Sequence, residues 1–176
     1  LLNDGTGRFE EAGLRFGFAY DGVGAMQGTM GVDCGDFDND GQFDIHVTSY
    51  QYESATLYKN VGGFLEDVTA RCGAGADTVT QVTWGNGLVD LDNDGSAELL
   101  TVESHEELGS RLAIYGISTG TLSMLIATPF IGRKHRWLAK IGAEDLDGDG
   151  NMEIAYIDRP HLDKTLRIYR YTRIEH

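Results

Sequence analysis

The sequence predicts an all-β protein made of about three four-stranded antiparallel units, and three observations carry that prediction. An acidic nine-residue segment, Asp36–Asp44, recurs as Asp90–Glu98 and again as Asp145–Glu153. Their starts lie 54 and 55 residues apart, a fixed period of the kind that marks small units unable to bury their apolar faces without their neighbours. Between the acidic segments, short runs of β-branched and aromatic residues alternate with turns, and the 176 residues include 24 glycines and only two prolines. No run has the apolar spacing of a long amphipathic helix. Four short strands per unit at a period of about 50 residues is the pattern of β-propeller blades. A β-solenoid is the competing reading, although its rungs are usually shorter.

Taken in order, Leu1–Gly13 resembles the later stretch Leu57–Thr69, so 1–26 reads as the outer strands of a preceding blade and the chain as a piece of a longer protein. The first full unit, 27–80, has strands predicted over Gly28–Gly35, Ile45–Tyr50, Thr56–Lys59 and Phe64–Thr69, with the first acidic segment between the first two. The second, 81–131, repeats this over Val82–Val89, Leu99–Val102, Arg111–Tyr115 and Thr121–Ala127. The third, 132–176, has Trp137–Ala143, Ile154–Ile157 and Leu166–Tyr171 and stops before a fourth strand. Propellers need at least about four blades to close a ring, so flanking sequence or neighbouring subunits are expected to complete this one.

The acidic segments carry the chemistry. Carboxylates at positions 1, 3 and 5, glycine at 6 for a sharp turn and a carboxylate at 9 supply what a hard, oxygen-seeking cation such as Ca²⁺ requires, with position 7 adding a backbone carbonyl. The expected ligands are Asp36, Asp38, Asp40, Gln42 and Asp44 in the first loop, and Asp90, Asp92, Asp94, Ser96 and Glu98 in the second. In the third they are Asp145, Asp147, Asp149, Asn151 and Glu153. About three Ca²⁺ ions are expected; Mg²⁺ suits such loops less well, because it demands strict octahedral geometry and keeps several waters. An EF-hand would need a glutamate at position 12 and flanking helices, but position 12 is Val47, Thr101 and Tyr156, each within a strand-like run. Asp-rich turns that bind no metal are the plainer alternative.

The net charge of −14 argues against nucleic acid and other polyanions as partners. It belongs to the loops, which hold 12 of the 28 acidic residues and leave 16 acids against 14 bases elsewhere. No apolar run is long enough to insert this segment into a membrane. Cys34, in an apolar run, is expected to be a buried free thiol, with a disulfide to Cys72 as the alternative.

His46, His105, His135, His161 and His176 are scattered through the units, and no nucleophile elbow, phosphate-binding glycine loop or His-Glu-x-x-His motif occurs. Glu103, Glu106 and Glu107 read as a solvated face rather than a glycosidase pair. Arg133-Lys134-His135-Arg136 reads as a solvated turn, with an acidic glycan as the sharper alternative. Trp84 and Trp137 are expected to pack between blades.

The stretches Met30–Gly41, Leu57-Tyr58-Lys59-Asn60 and Phe64–Thr69 resemble the FG-GAP/VCBS repeat family, closest to its cartilage-acidic-protein and UnbV-like branch; similar loops occur in integrin α-subunit propellers. The resemblance implies a Ca²⁺-stabilised propeller, often seven-bladed, with its loops on one face of the ring. It also implies an extracellular or cell-surface protein of recognition, adhesion or assembly, non-catalytic and bound to a protein or glycan ligand or to neighbouring subunits. An accessory propeller of a secreted enzyme acting on polysaccharide or lipid is the alternative.

Overall fold

The computed structural model describes residues 1–118 and 120–172. Thr119 and the last four residues of the 132–176 unit, His176 among them, lie outside the described residues. Among the described residues, thirteen strands form four antiparallel sheets with one short helix. β1 (Leu2–Asn3) and β2 (Phe9–Glu10) make a small hairpin. β3 (Thr29–Gly35), β4 (Asp44–Ser49), β5 (Thr56–Val61) and β6 (Phe64–Asp67) form the first blade, paired in chain order. After α1 (Thr69–Cys72), the second blade comprises β7 (Val82–Val89), β8 (Glu98–His105), β9 (Gly109–Ser118) and β10 (Thr121–Ala127). The third has β11 (Leu138–Glu144), β12 (Glu153–Asp158) and β13 (Thr165–Arg170).

The fourth strand of the first blade ends two residues earlier than its sequence suggests. The Asp67 carboxylate accepts the Thr69 N–H at 2.8 Å, which turns the chain into α1, and Gly73 closes that turn with φ 77°.

The three blades share a plan. In each, the first strand meets the second at the acidic loop, through the pairs Gly35↔Asp44, Val89↔Glu98 and Glu144↔Glu153. Each first strand also breaks register once, between Thr29 and Gly31, Thr83 and Asn86, and Lys140 and Gly142, a bulge that bends and twists the strand.

The blades pack face to face. Phe37, Leu57, Val68, Cys72 and Ala74 of the first blade and its helical turn are buried against Leu88, Ile117 and Leu122 of the second. Leu91, Leu100, Val102, Leu112 and Ile114 of the second are buried with Leu138, Ile154 and Tyr156 of the third. Close approach at the first junction depends on Gly35, where a Cβ would lie 2.7 Å from Leu88 Cβ. Polar groups pin both seams: Leu88 N–H donates to Asp33 Oδ2 at 2.9 Å between the first and second blades, and Lys140 Nζ donates to the Asn86 carbonyl at 2.5 Å between the third and second.

Both thiols are free, and Cys34 is exposed rather than buried, whereas Cys72 lies in the core. Alternation explains the correction. Gly31, Asp33 and Gly35 face β7, as their contacts with Trp84, Leu88 N–H and Leu88 Cβ show, so Val32 and Cys34 point to the other side of the sheet. Trp84 packs against the core between the second and third blades and donates Nε1–H to Ser104 Oγ at 3.0 Å. Trp137 instead stays half-exposed and stacks on His161, 4.3 Å between ring centres.

Candidate metal centres

Each acidic loop folds around its own carboxylates. The position-1 side chain caps the turn: Asp36 accepts the N–H groups of Asp40 (3.1 Å) and Gly41 (2.9 Å), and Asp90 those of Asp94 (3.1 Å) and Gly95 (2.9 Å). Asp145 does the same for Asp149 (3.1 Å) and Gly150 (2.9 Å). The position-5 carboxylate takes the N–H of position 7 at 2.9 Å in all three, Asp40 from Gln42, Asp94 from Ser96 and Asp149 from Asn151. Position 9 reaches back to the N–H of position 2, as Phe37 to Asp44 (3.2 Å), Leu91 to Glu98 (2.8 Å) and Leu146 to Glu153 (3.0 Å). The turn needs left-handed backbone at positions 4 and 6, supplied by Asn39, Asn93 and Gly148 (φ 59°, 58° and 77°) and by Gly41, Gly95 and Gly150 (φ 85°, 89° and 88°).

These bonds converge the side chains. Carboxylate oxygens of Asp36, Asp38 and Asp40, of Asp90, Asp92 and Asp94, and of Asp145, Asp147 and Glu153 each form a set lying within 4.8 Å of one another. All the donors are oxygens, and the capping bonds leave further lone pairs on them, so the residues fit a hard divalent cation. Asp44, Glu98 and Asp149 stand outside these sets. Asp44 and Glu98 nonetheless form the buried floors of their loops, bonded to the N–H of position 2.

Burial raises the pKa of Asp44, and its effect is larger than that of the N–H groups of Asn60 and Phe37 that favour the anion. Glu98 is pushed up to about 7, first by burial and then by the charges of Asp92, Asp94 and Asp90. Crowded carboxylates on a buried floor are the condition a bound cation relieves.

Neighbouring loops are stitched together. Asn39 Nδ2 donates to Ser96 Oγ in the second loop at 3.2 Å, and Asn93 Nδ2 donates to the Gly150 carbonyl in the third at 2.9 Å. All three loops join the first and second strands of a blade, so they share one end of the assembly. Tyr50 and Tyr52, exposed by 55% and 77%, lie beyond β4 at the opposite end.

Two cations that the spacing of the acidic residues does not announce enter this picture. Lys59 Nζ bonds to Asp38 and, at 2.8 Å, to Asp40. Arg170 bonds to Glu153 through Nε (2.7 Å), to Asp147 through Nη2 (2.6 Å) and to Asp149 through Nη1 (2.7 Å). Each follows a tyrosine on its blade's third strand that pairs with the residue after loop position 9, Tyr58↔Ile45 and Tyr169↔Ile154. The recurring Tyr-Lys and Tyr-Arg pairs were the available signal. The basic tract is a surface turn in which Lys134 pairs with Glu107 at 2.5 Å.

The model of the FG-GAP-like repeat matches residues 36–101, which run from the first residue of the first loop to β8 of the second blade. This agrees with the resemblance read from the repeated segments. No curated protein matches the chain. Among the described residues, no helix is long and apolar enough to cross a membrane.

Proposed function

We propose that this chain is a Ca²⁺-binding propeller segment of an extracellular or cell-surface protein, and that it serves recognition, adhesion or assembly without catalysing a reaction. The observation that carries the reading is the threefold convergence of carboxylate oxygens in loops of one design. About three ions, one per loop, brace the junctions between first and second strands. Such loops are typical of extracellular FG-GAP repeats, which agrees with the family match.

The ions serve structure here, held by protein oxygens at one end of the blades. The partner, a protein or glycan ligand or a neighbouring subunit, docks at the other end, where Tyr50 and Tyr52 offer aromatic surface. The concentration of negative charge in the loops disfavours nucleic acid as that partner.

Calorimetric titration of the chelator-treated chain with Ca²⁺ tests the metal reading. Extracellular modules bind at ~10⁻⁴ to 10⁻³ M, and affinities in that range are expected. Absence of binding at about 10 mM Ca²⁺, roughly ten times the weakest of those values, would overturn the reading, and a dissociation constant below micromolar would count against the extracellular placement. For the partner end, Tyr50→Ala with Tyr52→Ala is expected to weaken docking without altering Ca²⁺ affinity.

A further inference from the structure

Lys59 and Arg170 reach their loops from the same place in two blades. Each lies on the third strand, one residue beyond the tyrosine paired with loop position 10. Each points its positive charge into the carboxylates of positions 3 and 5. In the second blade the residue after the corresponding tyrosine, Tyr115↔Leu99, is Gly116, so β9 supplies no side chain at this point.

We propose that Lys59 and Arg170 are tethered cations that compete with Ca²⁺ for the first and third loops, and that their different chemistry makes the first loop fill before the third. The inference rests on the reading of the loops as Ca²⁺ sites. An oxygen that accepts a hydrogen bond from an ammonium or guanidinium within the cluster has that lone pair engaged, and a divalent ion entering beside a retained positive charge is repelled by it. The side chain must therefore withdraw as the metal enters.

The two side chains withdraw with different ease. Lys59 is a single ammonium on a flexible stem, engaging two carboxylates. Arg170 is a planar fork spread across three carboxylates, with its Nε on Glu153, a residue only 7% exposed. Releasing Arg170 breaks three charge-assisted bonds at once and strips the counter-charge from a buried carboxylate.

The position-6 glycines give each loop its own reporter, because the N–H groups of Gly41, Gly95 and Gly150 each donate to the first aspartate of their loop. A Ca²⁺ titration of the ¹⁵N-labelled chain, read at these three amides, follows the loops separately. In the wild type, the Gly41 signal is expected to reach its midpoint at lower Ca²⁺ than the Gly150 signal. Arg170→Met, which keeps the apolar stem, should lower the Gly150 midpoint by about ten-fold or more, equivalent to about 1.4 kcal/mol, and move Gly41 far less. Lys59→Met should do the converse by a smaller factor, and Arg170→Lys should fall between wild type and Arg170→Met.

Three loops that bind Ca²⁺ with midpoints unmoved by either methionine variant would overturn the inference and leave the metal reading standing. A Gly150 midpoint below that of Gly41 in the wild type would overturn the order of filling. No response at any glycine in any variant would overturn both the inference and the metal reading. Should Arg170→Met fail to fold without metal, Arg170→Lys carries the test, an unchanged Gly150 midpoint counting against the proposal.

Discussion

Asn86 of the second blade holds His46 of the first through two contacts, its Nδ2 lying 2.7 Å from His46 Nδ1 and 2.8 Å from the His46 carbonyl oxygen. An amide NH₂ has only hydrogens to offer, so Nδ1 accepts and the imidazole proton resides on Nε2. Protonating Nδ1 would set donor against donor in a buried seam between blades. Burial holds the His46 pKa down to about 4, against 6.5 when solvated.

The pH dependence follows from that shift. A base with a depressed folded pKa contributes its full stability above pH 6.5, and loses it as pH falls from 6.5 toward 4, because the unfolded chain takes the proton first. The loss is about 1.4 kcal/mol per pH unit in that window. In metal-free protein Glu98 works in the opposite direction: its raised pKa, about 7, stabilises the fold as pH drops from 7 toward its ordinary value of 4.5. Urea denaturation of wild type and His46→Gln across pH 4 to 7 separates the two effects. The wild type should lose stability relative to the variant as the solution is acidified, and parallel curves would refute the assignment.

Metal removal should lower the melting temperature. Each ion that binds only the folded state adds about 2.7 kcal/mol at a hundred times its dissociation constant. Asp90→Asn should abolish most of the gain at the second loop and leave the rest. Scanning calorimetry in Ca²⁺ and in chelator measures both, and superimposable melting curves would contradict it.

The junction at Gly35 tolerates no side chain, since a Cβ there would lie 2.7 Å from Leu88 Cβ. Gly35→Ala should cost ~1 to 3 kcal/mol through overpacking. Leu88→Gly removes the opposing Cβ, so in that background Gly35→Ala should cost less than in the wild type, a coupling that a double-mutant cycle in urea would measure.

Glu106 and Glu107 are solvated as their sequence suggests, but Glu103 is not: it is fully buried, accepting from the Tyr115 hydroxyl and, at 2.7 Å, from Arg111 Nε, while Arg111 stacks on Phe130. Arg111→Met strands a buried carboxylate and should cost ~3 to 5 kcal/mol. Combining it with Glu103→Gln removes the uncompensated charge and should restore much of that loss. A double variant no more stable than Arg111→Met would count against the pairing.

The acidic loops and most strands were legible because their determinants are local. Glycines at left-handed positions, carboxylates that cap their own turn and β-branched runs all act within a few residues. What escaped the sequence depends on register between strands. Arg170 meets Asp147 across 23 residues and Lys59 meets Asp38 across 21, and only the pairing of third strand with second brings them together. Cys34 was misplaced for a related reason. The apolar run suggested burial, but the side of a strand that faces a neighbouring blade is decided by parity, and Gly31, Asp33 and Gly35 occupy that side.

The asparagine stitches give the row of loops a direction. Asn39 reaches forward to Ser96 and Asn93 forward to Gly150, both toward the loop that follows in the chain. The third loop has Gly148 at the corresponding position, so its turn keeps the required backbone but extends no hook. A further loop placed ahead of Asp36 could fasten itself with its own asparagine, whereas one placed after Glu153 would find none held out to it. The linkage is therefore polar, each asparagine belonging to one loop and its acceptor to the loop that follows.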